Sequence, residues 1–232
     1  MPLRRTLLAL LIALASAGVP SIAQAQTVVV EIGGVGTDTS PGGPWTRLEP
    51  YLTDGTSFRR YQYDTCADIT TNVHQLNAYL HTLQTPGAEV VLAGHSLGGV
   101  LALSAIGNFD LTEQVRGVVV VDAPVNGLSE ELIEFGQSLG VVPAPCLALD
   151  ELEDPAWSGT SAAAAERAMS QGMGLLDVSN AYDNMVPLGA QELPQPVNLR
   201  FNLTNGSGLF NHTAVFSSSA ALTAIAHFIG TL

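Results

Sequence analysis

The residues that point to chemistry lie in Val90-Val91-Leu92-Ala93-Gly94-His95-Ser96-Leu97-Gly98-Gly99. An apolar run suited to a strand breaks into Gly-x-Ser-x-Gly, and a helical pattern starts at once behind it. A serine on so tight a turn takes a strained backbone conformation, and glycines two residues before and after it remove Cβ atoms that would clash. Ser96 then stands above the strand ends. The N-terminus of the helix behind it directs the Leu97 N–H at a developing oxyanion. Such a serine attacks a carbonyl carbon only if a histidine takes its proton and a carboxylate holds that histidine's tautomer.

The remaining pattern describes the elements that must position these groups. Residues 27–32 form a β-branched apolar run that stops at Gly33-Gly34, a buried strand feeding a tight loop. Residues 58–63, 89–93, 117–121, 174–178 and 197–203 read as further strands. Residues 67–83, 97–107 and 214–229 carry apolar positions at helical spacing. Strands that alternate with helices imply βαβ units, and continuous apolar strands imply a mostly parallel sheet with helices on both faces. Between Val125 and Gly172 the rhythm lapses. A helix over 129–139, a Pro-containing segment with Cys146, the acidic patch Asp150, Glu151, Glu153 and Asp154, and a second helix rich in alanine at 162–165 read as a lid or cap insertion over one end of the sheet. The chain is an α/β protein with one domain over residues 26–232.

With the elbow placed in this order of elements, the chain resembles the α/β-hydrolase superfamily, and GHSLGG is a form common in its secreted lipases and esterases. The resemblance covers essentially the whole chain after the leader in element order, and the elbow is its specific motif. It implies a compact α/β-hydrolase fold and a triad in the chain order Ser, Asp or Glu, His. His212, in a loop after the last strand and before the closing helix, stands where the superfamily carries its base, whereas His227 falls on the helix itself. His74 and His81 belong to the early helix, and His95 reads as a neighbour of the nucleophile rather than as the base. Asp183, in a loop reading Asp-x-x-Val-Pro after a strand, is similar to the superfamily's acid loop, with Asp177 inside that strand and Asp122 after the preceding one as alternatives. Aligning Gly34 with the superfamily's oxyanion-loop glycine puts the second oxyanion donor on Val35. Gly33 stands where histidine is common, which leaves that loop more flexible.

The chain has 232 residues, with 21 acidic residues against 8 basic ones, all of them arginine. Arg4-Arg5, the apolar run at 7–15 and Ala23-Gln24-Ala25 follow the order of a signal peptide spanning 1–25, and they predict a secreted or periplasmic, bacterial-like protein with the export route open. Removal of the leader leaves 6 basic against 21 acidic residues, a net charge of −15. That balance disfavours a nucleic-acid partner or adsorption to anionic lipid. No segment after the leader reaches the ~20 apolar residues of a membrane span. In an oxidising compartment, Cys66 and Cys146 pair most simply with each other. Sequons at Asn202, Asn205 and Asn211 read as accidental, since a glycan on Asn211 would adjoin the base.

These features and the resemblance predict a monomeric serine carboxylic-ester hydrolase that forms an acyl-enzyme with a neutral ester or lipid and uses no metal or cofactor. Acyl transfer or thioester cleavage on the same triad is the alternative within enzymes, and a catalytically silent binding module on the same fold is the alternative outside them.

Overall fold

The computed structural model describes residues 26–36, 43–83, 87–193, 197–204 and 211–232, so the expected signal peptide and Asn205 lie outside the described residues. Six strands form one sheet in the order β2-β1-β3-β4-β5-β6. They are β1 (Gln26–Ile32), β2 (Thr56–Tyr61), β3 (Ala88–His95), β4 (Val115–Val121), β5 (Gly174–Asn180) and β6 (Leu199–Leu203). Every neighbouring pair is parallel.

The strand sequences explain this arrangement. Val28, Val30 and Ile32 of β1 join the core on one face of the sheet, while Val29 joins the core on the other. Leu92 against Val91, and Val118 and Val120 against Val119 and Val121, divide in the same way. Each face needs an apolar cover, so the strands read as unbroken runs rather than as alternating ones. Each fully buried valine or leucine contributes roughly 1.5–3 kcal/mol of transfer free energy.

One face is covered by α1 (Ile69–Thr82), α2 (Leu97–Asn108) and α5 (Trp157–Ser170). Asp68 caps α1 by accepting from Thr71 N–H at 2.8 Å. The other face is covered by α7 (Ser219–Gly230), by Trp45 of the 3-10 segment Pro44–Arg47 and by Leu48, which joins it to the 3-10 segment Glu49–Tyr51. No single helix among the described residues is long and apolar enough to cross a membrane.

The segment 125–172 divides into two parts. Short helices α3 (Glu130–Ser138) and α4 (Leu147–Leu152) lie over the C-terminal ends of the strands, whereas α5 packs against α2, with Ala164 beside Gly107. The stretch 150–154, read from sequence as an acidic patch, holds the end of α4. Its Glu151 Oε2 accepts from Ile69 N–H at 3.2 Å, so that carboxylate ties α4 to the start of α1. Cys66 and Cys146 are bonded, with sulfurs 2.15 Å apart, and join the approach to α1 to the start of α4. At the other end of the cap, Asn126 N–H donates to Ala190 O at 3.0 Å. The cap is therefore rooted at two points.

Three further boundaries depart from the sequence reading. The second strand ends at Tyr61 rather than at residue 63, so Tyr63 leaves the sheet. The helix expected over 214–229 is a 3-10 turn, Asn211–Ser217, and then α7, with a bend of 67° between them. Ser218 causes the break by capping α7, its hydroxyl accepting from Ala221 N–H. The short helix α6 (Leu188–Gln191), after β5, was not expected.

Candidate active site

From β1 the chain leaves to β2 on one side, and from β3 it leaves to β4 on the other. A crevice opens where connections diverge in this way, at the C-terminal ends of the strands. Ile32 pairs with Gly94 there, so the glycine loop after β1 and the serine turn after β3 are neighbours.

Ser96 sits at φ +56°, at the head of α2, a conformation that costs a non-glycine residue about 1–3 kcal/mol. The surrounding close approaches require glycine. A Cβ on Gly94 would lie 2.3 Å from Gly98 O, and one on Gly98 would lie 2.2 Å from Ile32 O. Gly34 comes so near the turn that a Cβ on it would lie 2.6 Å from that of Ser96. Leu97 is the first residue of α2, where an amide has no partner within the helix.

Ser96, His212, Val35 and Gly36 line one cavity of about 290 Å³. Apart from Thr213, its remaining described walls are apolar, with Leu128, Leu132, Ile133 and Leu149 from the cap region and Met185 and Val186 from the loop after β5. His212 lies on the 3-10 turn rather than in open loop, and its Nδ1 is 2.6 Å from Asp183 Oδ2. The other carboxylate oxygen of Asp183 accepts from Met185 N–H at 2.8 Å and Val186 N–H at 3.1 Å. Asp183 is thus fixed by its own loop as well as by its bond to His212.

The alternative acids are placed differently. Asp177 Oδ2 accepts from Arg200 Nε at 3.1 Å and Leu193 N–H at 3.0 Å, an ion pair that ties β5 to β6. Burial raises its carboxyl to about 6 despite those bonds. Asp122, at φ +45° after β4, is fully buried, and neither carboxylate oxygen has a hydrogen-bond partner. Burial, and then the neighbouring Asp183 and Asp177, hold its carboxyl well above the usual range. His227 is exposed on α7 and opens onto a cavity with Glu89 and Arg116, away from Ser96, while His74 packs edge-on against Phe109.

Sequence reading did not foresee the ties around His212. Asn180 Nδ2 donates to Asn211 O at 2.8 Å, and Asn211 Nδ2 donates to Tyr182 O at 3.3 Å, joining the acid loop to the histidine's turn. This use of a mostly buried Asn211 agrees with reading its sequon as accidental. His95 Nε2 lies 2.8 Å from the carbonyl oxygen of His212. A carbonyl can only accept, so the proton of His95 is on Nε2, and its buried Nδ1 is left without a partner. His95 thereby joins the end of β3 to the backbone of His212. The signal available in sequence was only its adjacency to Ser96.

Burial, reinforced by the nearby His212, lowers the His95 pKa from 6.5 to about 3. The unfolded chain therefore binds a proton between these values that the folded chain excludes. The stability gained by keeping His95 neutral is complete above pH 6.5 and is lost as pH falls towards about 3. Urea midpoints measured from pH 8 down to pH 4, about a two-unit traverse of this window, should fall more steeply for the wild type than for His95→Gln, which keeps a donor but cannot charge. Parallel slopes would contradict the assignment.

The sequence profile of the alpha/beta hydrolase family matches residues 9–216, and the chain belongs to that family. No curated protein matches it in sequence. Among solved structures it is similar to a lipase from Bacillus licheniformis in mature form, with a TM-score of 0.64 and 16% identity over 91% of this chain and 95% of that one. It is also similar to a lipase-esterase related protein from Clostridium acetobutylicum, with a TM-score of 0.59 and 12% identity over 90% and 95%. The esterase domain of a Rhodothermus marinus protein gives a TM-score of 0.56 and 18% identity over 92% and 88%. At these identities the likeness is one of fold.

Proposed function

We propose that this chain is a serine carboxylic-ester hydrolase that works through an acyl-enzyme. The observation that carries this reading is that Ser96, on its strained turn, shares one apolar cavity with His212, whose Nδ1 is bonded to Asp183. Ser96 Oγ attacks the ester carbonyl, and His212 takes the hydroxyl proton at Nε2, because Nδ1 is committed to Asp183. The amides of Leu97 and Val35 stabilise the oxyanion. The same proton then passes to the departing alcohol, and water repeats the sequence to release the acid. Asp183 holds the imidazole in the tautomer that accepts at Nε2 and stabilises the imidazolium that follows.

A cavity of about 290 Å³ is roughly twice the ~150 Å³ apolar cavity that takes up one benzene, room for about twelve carbon-sized atoms, and with part of it taken by the reacting ester group it admits an acyl chain of about four to eight carbons. No charged side chain among the described residues lines it, which suits a neutral ester. Across a series of p-nitrophenyl esters, kcat/KM should peak in that range and fall beyond about ten carbons. A steady rise to long chains would refute the assignment of the acyl group to this cavity. A fluorophosphonate should label Ser96 and leave Ser96→Ala unmodified, which tests the nucleophile separately.

The reading extends to location. We place the mature enzyme, residues 26–232, outside the cytoplasm, on the order of residues in 1–25 and on the Cys66–Cys146 bond, which persists in oxidising compartments.

A further inference from the structure

The loop Gly33-Gly34-Val35-Gly36 carries three glycines, and Gly36 sits at φ +65°. Such a backbone has the widest conformational choice of any, yet an amide aimed at an oxyanion must be fixed before reaction to stabilise it. Gly33 has no side chain with which to brace the loop. The bracing comes instead from the strap that leaves β2.

Tyr63 Oη donates to Gly33 O at 2.5 Å, and Gly36 N–H donates to Thr65 Oγ1 at 3.3 Å. The first bond fixes the peptide plane between residues 33 and 34, because a planar peptide turns its carbonyl and its N–H together. The second fixes the plane between residues 35 and 36. Only one peptide lies between them, and it carries the Val35 N–H. Its leading residue, Gly34, bears directly on Ser96.

The strap is itself held firmly. The ring of Tyr63 stacks on Tyr61 at 5.5 Å with planes 8° apart, and Tyr61 leans on Tyr79 of α1 at 5.2 Å. Thr65 is followed by Cys66, which the disulfide fastens to the cap. Burial holds the phenol of Tyr63 well above its ordinary pKa, so it remains an O–H donor.

We infer that Tyr63 and Thr65 are positioning residues that set the Val35 amide for the oxyanion, an inference that rests on the ester-hydrolase reading above. Tyr63→Phe keeps the ring and removes the bond to Gly33, and Thr65→Val keeps the shape and removes the acceptor for Gly36. Each is to be measured for kcat, KM, thermal midpoint and affinity for an alkyl boronic acid, which forms a tetrahedral adduct on serine. Removal of a whole oxyanion donor costs about a hundredfold or more, so loss of its bracing should lower kcat and boronate affinity about tenfold in Tyr63→Phe, with KM within about twofold. A folded Tyr63→Phe variant with unchanged kcat and boronate affinity would overturn the proposal, as would a shift confined to KM or thermal midpoint. If Tyr63→Phe does not fold, Thr65→Val decides by the same criteria. Undiminished turnover in Ser96→Ala would remove the ester-hydrolase reading itself, whereas a Ser96-dependent enzyme indifferent to Tyr63→Phe would remove only this inference.

Discussion

Replacing Ser96 by alanine is expected to lower kcat for a short p-nitrophenyl ester by about 10⁴-fold or more, with KM nearly unchanged. The magnitude follows from the loss of covalent catalysis, which leaves only the oxyanion donors and substrate binding to act on a water molecule. The fold should survive, because alanine keeps the Cβ that packs against Gly34 and removes only the hydroxyl. Backbone strain at φ +56° also persists in alanine, since either residue bears a Cβ in a region that favours glycine. Ser96→Gly should therefore be equally inactive yet at least as resistant to unfolding as Ser96→Ala, provided relief of strain outweighs the extra freedom of glycine in the unfolded chain. A thermal midpoint of Ser96→Gly well below that of Ser96→Ala would show that the strain at this turn is smaller than the entropy cost of glycine.

Asp183→Asn should lower kcat by about 10⁴-fold as well, through a different route. Oδ1 of Asp183 accepts two backbone N–H groups, so an asparagine there keeps its oxygen in that place and turns its amide towards His212. An amide N–H facing Nδ1 stabilises the tautomer with its proton on Nε2, the atom that must accept from Ser96. The base is then present but holds its proton on the wrong nitrogen. Asp122→Asn is the informative contrast. Its carboxyl is buried without partners and held towards the neutral form, so a neutral amide of similar shape should change kcat by less than about tenfold. If Asp122→Asn is the damaging substitution and Asp183→Asn is not, the acid has been assigned to the wrong strand.

Much of this arrangement was legible in the residues because it depends on short-range patterns. Unbroken apolar runs at 27–32 and 117–121 signalled strands covered on both faces, and the glycines around Ser96 signalled a turn where backbone meets backbone. The chain order of Ser96, Asp183 and His212 carried positions that the fold brings to one crevice. What escaped depends on contacts between distant segments or on elements too short to show a period. Six residues of α4 make fewer than two turns, and its sequence reads first as a cluster of charges. Tyr63 resembled the end of a strand, and nothing local indicates that its hydroxyl meets Gly33, thirty residues earlier. The flexibility expected of the glycine loop was a sound inference from its own residues, but the restraint lies on the strap that leaves β2. His95 was read as a neighbour of the nucleophile, whereas its bond runs to the backbone of a residue 117 positions later.

The floor and the walls of the cavity are made in different ways. The floor holds Ser96, beneath which Gly34, Gly94 and Gly98 set backbone against backbone at distances that admit no added atom, while Leu132, Ile133 and Leu149 enclose the cavity with side chains carried on two short helices. Mutation therefore meets two separate tolerances in one pocket. Exchange of a wall residue can shift the pocket from one acyl group to another, whereas a side chain on any of the glycines beneath would displace the turn that carries Ser96.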